Sequence, residues 1–192
     1  MDLVKTAKSV LMVYDIKDKS KLIKACVDDI DDQLIEYPHI IVYGKKMQQR
    51  RCVDFFSDDS VGYEYSGQIA KSKPLTENLQ KLLDFVNKKF KSKFNGILVN
   101  KYKDGNDYLG AHADSESGLD EKCGVIAISY GATRKFRIRE KKTNQIVRDV
   151  PTMTNQIIQM AGDFQKEFKH EIPKEKRVKE TRYSFTFRKH LK

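Results

Sequence analysis

The stretch NKYKDGNDYLGAHADSE, residues 100–116, sets His112, Asp114 and Glu116 at every second position just behind a tight turn. In a β-strand such positions share one face. A histidine and a carboxylate held together this way can share a metal ion. Two histidines and one carboxylate on one side of an ion form the ligand set of mononuclear non-haem iron sites, which leave positions open for a cosubstrate and dioxygen. The chain has three further histidines, His39, His170 and His190. His170, in KEFKHEIP, is the best placed as third ligand because it falls in an expected strand late in the β-rich half. His39 sits near a helix end, and His190 lies two residues from Arg188 at the C-terminus.

A second cluster of reactive side chains lies in RYSFTFR, residues 182–188, where Arg182, Ser184, Thr186 and Arg188 alternate with Tyr183, Phe185 and Phe187. A strand whose polar face lines a barrel mouth could bind a dicarboxylate through paired guanidiniums, which match carboxylates in fork geometry. Asn100 and Tyr102 form another i, i+2 pair, on the strand leading into the HxD turn, and offer an amide and a phenol to the same ligand.

These groups need a scaffold. SKLIKACVDDIDDQLIEYP (20–38) reads as an amphipathic helix with Ser20 as N-cap and Pro38 as terminator, and PLTENLQKLLDFVNKKF (74–90) as a second helix with lysines in its last turn. Short apolar or alternating segments follow or surround them: 39–43, 52–56, 96–102, 124–131, 135–140, 145–150, 155–160 and 182–190. From about residue 95 no helix separates them, which argues for an antiparallel sandwich or barrel over a parallel α/β sheet. The expected fold is α+β and mainly β: a jelly roll, or double-stranded β-helix, over supporting N-terminal helices. A single domain of 192 residues is expected, with about 1–92 giving the helices and a lid and about 93–192 the core.

Composition narrows the function. Lys and Arg number 37 against 27 Asp and Glu, a net charge of +10, which favours a polyanionic partner over an unspecialised basic surface. Three cysteines, Cys26, Cys52 and Cys123, without CxxC spacing indicate neither a disulfide framework nor a cysteine zinc site. No apolar run approaches the roughly 20 residues of a membrane helix. The N-terminus lacks the pattern of a secretion signal. The expectation is an intracellular monomer, nuclear or cytoplasmic, that is not secreted and makes no membrane contact.

Taken together, the motifs resemble a known family. NKYKDGNDYLGAHADSE is similar to the N-x-Y-x-D-G-x-D…H-x-D-x-E signature of the AlkB family of Fe(II)- and 2-oxoglutarate-dependent nucleic-acid dealkylases. SYGATRKFRIR (129–139) resembles its S-x-G-A-x-R-x-F-x-x-R strand, QMAGDFQKEFKHEIP (159–173) its G…H-x-x-P strand and RYSFTFR its R-x-N-x-T-F-R strand. YGKKMQQRR (43–51) and YEYSG (63–67) look like its nucleotide-recognition lid, particularly in homologues acting on duplex DNA. The resemblance spans about residues 40–190. It implies His112, Asp114 and His170 as iron ligands, and Asn100, Tyr102, Arg182, Ser184 and Arg188 around 2-oxoglutarate, with O2 as oxidant. Glu116 would face the damaged base, Tyr65 and Tyr63 would stack on it once flipped, Arg51 would sit in the lid, and Tyr43 would fill the gap left in the duplex. Lys174, Lys176 and Arg177, in KEKRVKETR, would contact phosphates.

The activity so implied is oxidative demethylation of bases such as 1-methyladenine and 3-methylcytosine in single-stranded or duplex DNA, with RNA as a further substrate. It would release formaldehyde, succinate and CO2. Three departures touch the pocket and the lid: Ser184 stands where the family usually has Asn, QRR replaces a proline before the arginine, and Tyr43 stands at the hairpin tip in place of a strongly apolar wedge. Three rival readings are a nucleic-acid-binding module without catalysis, a 2-oxoglutarate dioxygenase acting on something other than nucleic acid, and a zinc hydrolase using the same three ligands.

Overall fold

In the computed structural model, residues 2–42, 44–57, 63–65, 68–70, 72–115 and 118–191 are described, residues 2, 42, 63–65 and 68–70 by their backbone alone. The strands are β1 (Asp2–Lys5), β2 (Ser9–Asp15), β3 (His39–Val42), β4 (Lys45–Gln48), β5 (Cys52–Ser57), β6 (Tyr63–Tyr65), β7 (Gln68–Ala70), β8 (Gly96–Tyr102), β9 (Leu109–His112), β10 (Val125–Gly131), β11 (Lys135–Glu140), β12 (Ile146–Pro151), β13 (Gln156–Gly162), β14 (Phe168–Ile172) and β15 (Arg182–Arg188). The helices are α1 (Ser20–Ile30), α2 (Glu77–Phe90) and the single turn α3 (Phe164–Glu167).

A seven-stranded sheet in the order β1-β2-β13-β10-β15-β8-β5 faces a four-stranded sheet in the order β12-β11-β14-β9. All pairings within both are antiparallel. This is the expected mainly β sandwich with a helical layer. The first fifteen residues add more than sequence alone indicates: Ser9–Asp15, SVLMVYD, is a largely apolar run and pairs along its whole length with β13. Three strands of the large sheet, β1, β2 and β5, thus come from before residue 93.

The helices differ from expectation at their ends. Ser20 is the first helical residue of α1, not its cap; a short 3-10 turn at Lys17–Lys19 leads in, and no side chain caps the helix. That helix stops at Ile30, eight residues before Pro38, and Ile35 instead bridges to Val53. In α2 the hydroxyl of Thr76 accepts from the Leu79 amide, a good N-cap that sets the start at Glu77, three residues after Pro74.

The large sheet is apolar on both faces. One face carries Ile97, Val99, Ile126, Ile128, Phe185 and Phe187 beneath α1 and α2, whose Ile23, Cys26, Ile30, Leu79, Leu82 and Val86 are sealed against it. On the other, Tyr102, Val125, Ile158 and Met160 pack with Phe136, Ile138, Phe168 and Ile172 of the small sheet. Because β15 sits between β10 and β8, all seven of its residues are buried, Arg182 and Arg188 included. The alternation in RYSFTFR therefore separates two interiors. Its polar face points between the sheets.

Candidate metal and cosubstrate site

The HxD turn is built locally. Asp104 accepts from the Asn106 amide, and Asp107, itself buried, accepts from the Lys103 amide, so the DGND residues close a turn without outside help. Gly105 is the one residue type that fits there, since a Cβ would come within 1.9 Å of the Glu175 carbonyl oxygen. Two backbone bonds, Gly105 N–H to Val178 and Glu175 N–H to Gly105, staple the turn to the loop after β14.

Leaving the turn, β9 pairs with β14 so that His112 and His170 stand opposite each other. Their rings are 4.3 Å apart, and Phe136 stacks on His170 at 5.0 Å. Asp114 lies just past the end of β9. Its Oδ1 is 3.6 Å from His112 Nε2 and its Oδ2 3.8 Å from His170 Nε2. One ligand atom from each of the three residues falls within 4.8 Å of the other two.

The surroundings orient these groups. His112 Nδ1–H donates to the Gly110 carbonyl at 2.9 Å, which fixes the tautomer and leaves Nε2 as the ligating lone pair. The Asp114 amide donates to Gln165 Oε1 at 2.9 Å, tying the ligand loop to α3, five residues ahead of His170. Arg188 Nη2 donates to Asp114 Oδ1. Burial alone would raise the Asp114 pKa, but the Arg188 guanidinium and the two imidazoles outweigh it and hold the carboxyl well below the usual range. His170 is pushed down to about 3, first by burial and then by the neighbouring His112, so it stands neutral and ready to ligate. Asp114 Oδ2 and His170 Nδ1 are buried without a hydrogen-bond partner. Two imidazoles and a carboxylate with an unbonded oxygen fit a divalent cation of the iron type.

An open cavity of about 600 Å³, mouth included, extends from this cluster between the sheets. Across β8 and β15, Tyr102 stands opposite Arg182 and Asn100 opposite Ser184. The Arg182 guanidinium lies 5.3 Å over the Tyr102 ring, donates Nε–H to the Thr152 hydroxyl and Nη2–H to the Ser129 hydroxyl, both at 3.0 Å, and has no partner for its buried Nη1. Burial lowers its pKa to about 10, so it remains cationic at neutral pH. A buried cation with an unused N–H group suits a ligand carboxylate.

Arg51 is 5% exposed and donates to Asn100 Oδ1 at 2.6 Å; it lines the cavity wall instead of standing on an outer lid. Lys174, Lys176 and Arg177 are exposed on the loop stapled to the turn, with Lys174 Nζ 4.7 Å over the Tyr108 ring. Tyr43 and Glu116 lie outside the described residues. Tyr63 and Tyr65 belong to β6, but their side chains are likewise outside what is described. Neither rival histidine joins the site: His39 opens β3, and His190 is buried against Phe55 with ring centroids 4.8 Å apart.

Sequence reasoning missed four residues that hold the others. Ser129 and Thr152 grip Arg182, and Gln165 holds the Asp114 loop. Arg134, 1% exposed, donates to the carbonyls of Asp104, Asp107 and Pro173 and to the Glu175 carboxylate, joining the DGND turn to the basic loop. Ser129 and Arg134 were visible only as letters of a matched motif.

Such a site on such a sandwich defines an iron and 2-oxo acid oxygenase, and the comparisons agree. Residues 11–188 match the model of the 2OG-Fe(II) oxygenase superfamily. The chain is 30% identical over 184 residues to the DNA oxidative demethylase ALKBH2 of Homo sapiens, covering 88% of this chain and 70% of that protein. The ALKBH2 of Mus musculus is 31% identical over 173 residues, with 83% and 72% covered. The alpha-ketoglutarate-dependent dioxygenase alkB homolog 3 of Rattus norvegicus matches over half of this chain, at 36% identity over 104 residues and 35% of its own length. In fold, the chain superposes on the structure of OsALKBH1 with a TM-score of 0.64 at 15% identity, covering 97% of this chain and all of the other. The chain belongs to the 2OG-Fe(II) oxygenase superfamily and, within it, to the AlkB family. It is an Fe(II)- and 2-oxoglutarate-dependent dioxygenase. Among the described residues, no helix is long and apolar enough to cross a membrane.

Proposed function

We propose that this protein reverses alkylation damage in DNA by oxidising N-methyl groups on bases such as 1-methyladenine and 3-methylcytosine. The observation that carries the reading is the convergence of His112, Asp114 and His170 at one end of a cavity holding the unpaired Nη1 of Arg182. In this reading those three residues hold Fe(II), and Arg182 binds the distal carboxylate of 2-oxoglutarate beside Tyr102. Asn100, held by Arg51, and Ser184 line the remainder. Bound iron with 2-oxoglutarate and O2 supplies the oxidation of the methyl group, giving succinate, CO2 and formaldehyde.

The chain's own work is positioning and charge control. Arg188 keeps the Asp114 carboxylate ionised where burial would favour protonation, and the Gly110 carbonyl, bonded to His112 Nδ1, turns Nε2 toward Asp114 and His170. The paired sheets bury Asp114, His170 and Arg182 along the pocket. Lys174, Lys176 and Arg177, exposed on the loop bonded to the DGND turn, serve DNA phosphates, consistent with the net charge of +10. Glu116, Tyr43, Tyr63 and Tyr65 remain the residues proposed to meet the base and the duplex gap. A cationic methylated base pairs poorly, which lowers the cost of flipping it out.

The test is incubation with Fe(II), ascorbate, 2-oxoglutarate and an oligonucleotide bearing one 1-methyladenine, read by mass spectrometry beside a His112→Ala control. Loss of the methyl group with wild type alone supports the proposal. Single-strand, duplex and RNA versions then rank the substrates. Succinate formation without demethylation would turn the reading toward a substrate other than this lesion, and no turnover at all toward a binding module.

A further inference from the structure

We propose that Thr152, assisted by Ser129, is the positioning residue that aims Arg182 at the distal carboxylate of 2-oxoglutarate. This rests on the reading of Arg182 given above.

The hydroxyl of Thr152 is fully committed. It donates to the Arg134 carbonyl at 2.9 Å and accepts from the Arg134 amide at 3.2 Å and from Arg182 Nε–H at 3.0 Å. A hydroxyl has one proton and two lone pairs, so with the proton taken by a carbonyl, the oxygen can meet Arg182 only as an acceptor. Thr152 is 1% exposed and Ser129 2% exposed, so water does not substitute for either. Ser129 Oγ takes Nη2–H, and the third nitrogen, Nη1, is then the one left open. Two hydroxyls fix the plane of the guanidinium from behind.

The choice of hydroxyls matters electrostatically. A carboxylate in either place would hold Arg182 equally well but would neutralise it, and an incoming carboxylate would meet no net charge. Among the described residues no carboxylate pairs with Arg182; the Tyr102 phenol beside it favours its charge and Arg134 opposes it. Neutral acceptors orient the cation and leave its charge for the ligand.

The experiment is calorimetric titration of the Mn(II)-loaded full chain, without turnover, using 2-oxoglutarate and, separately, oxalate, which can chelate the metal but has no chain beyond it. Thr152→Val should weaken 2-oxoglutarate binding by about tenfold, the scale of one hydrogen bond from a charged donor. Oxalate binding should be unchanged. Thr152→Ser should restore 2-oxoglutarate binding to within about twofold, since the hydroxyl is kept. Ser129→Ala gives a second, independent loss in the same direction should Thr152→Val fold poorly. Equal loss of both ligands would overturn the positioning role, as would wild-type affinity for 2-oxoglutarate in Thr152→Val. Failure of wild type itself to bind 2-oxoglutarate would instead remove the reading of Arg182 on which the proposal rests.

Discussion

Arg182 and Arg188 stand at opposite ends of the same strand, on the same face, both within 4% of full burial, yet they are held in opposite ways. Arg188 is locked to the carboxylate of Asp114, and the two charges cancel. Arg182 is held by two hydroxyls and an aromatic face, and its charge is left unspent. The difference shows how one strand can serve two ligands. A metal ligand must stay anionic in a dry interior, which needs a permanent cation beside it; a pocket for an anionic cosubstrate must keep a cation uncompensated until the ligand arrives. Burying a lone charge costs stability unless a partner is supplied, so the Arg182 end carries a cost in the unliganded protein that the Arg188 end does not.

That contrast can be broken experimentally. The largest effect is expected from Arg188→Met, which strands a buried carboxylate: a loss of about 3–5 kcal/mol in urea denaturation of the metal-free protein. Arg182→Met should instead weaken 2-oxoglutarate binding by about 10- to 100-fold, as removal of a charge-assisted bond does, measured by the KM for 2-oxoglutarate. Gly105→Ala should cost about 1–3 kcal/mol, because overpacking against the Glu175 carbonyl forces the basic loop off the DGND turn; the denaturation midpoint checks it. Replacing Lys174, Lys176 and Arg177 together with alanine should leave 2-oxoglutarate binding intact while the salt dependence of DNA binding becomes shallower, by roughly 0.7–0.9 in slope for each phosphate no longer neutralised.

The smallest effect concerns pH. Burial, with Arg188 nearby, lowers the His190 pKa to about 4 from 6.5. The unfolded chain therefore takes up this proton before the folded one does, so His190 contributes stability that is whole above about pH 6.5 and is lost as pH falls toward 4. His190→Phe, whose ring can still pack on Phe55, should flatten part of the acid side of the stability profile.

Much of this architecture was legible in the chain. GILVNKY and KFRIRE read as strands with the bounds they have, and the expected strand 182–190 overruns the observed Arg182–Arg188 by two residues. The HxD turn was legible too: DGND can only turn. His170 was identified by its late strand, and the register of β14 on β9 sets it across from His112. What periodicity could not convey was that both faces of β15 are interior, since that depends on β8 and β10 flanking it and on α1 and α2 covering one side. Thr152 was invisible for a related reason. It sits in an unremarkable segment, PTMT, and matters only because the hairpin joining β11 to β12 returns it beside Arg134 and Arg182. Strands β1 and β2 are not legible in the same way, because DLVK and SVLMVYD lack a clean alternation and take their place by pairing with each other and, through β2, with the distant β13.

The most direct test of the divided roles of these two arginines is thermal denaturation of wild type, Arg182→Met and Arg188→Met, each in chelator and again with Mn(II) and 2-oxoglutarate. The account predicts that Arg188→Met alone melts well below wild type in chelator. It also predicts that Arg182→Met melts near wild type there but gains little when 2-oxoglutarate is added to the Mn(II) form. Equal destabilisation of both variants in chelator, or a full response of Arg182→Met to 2-oxoglutarate, would contradict it.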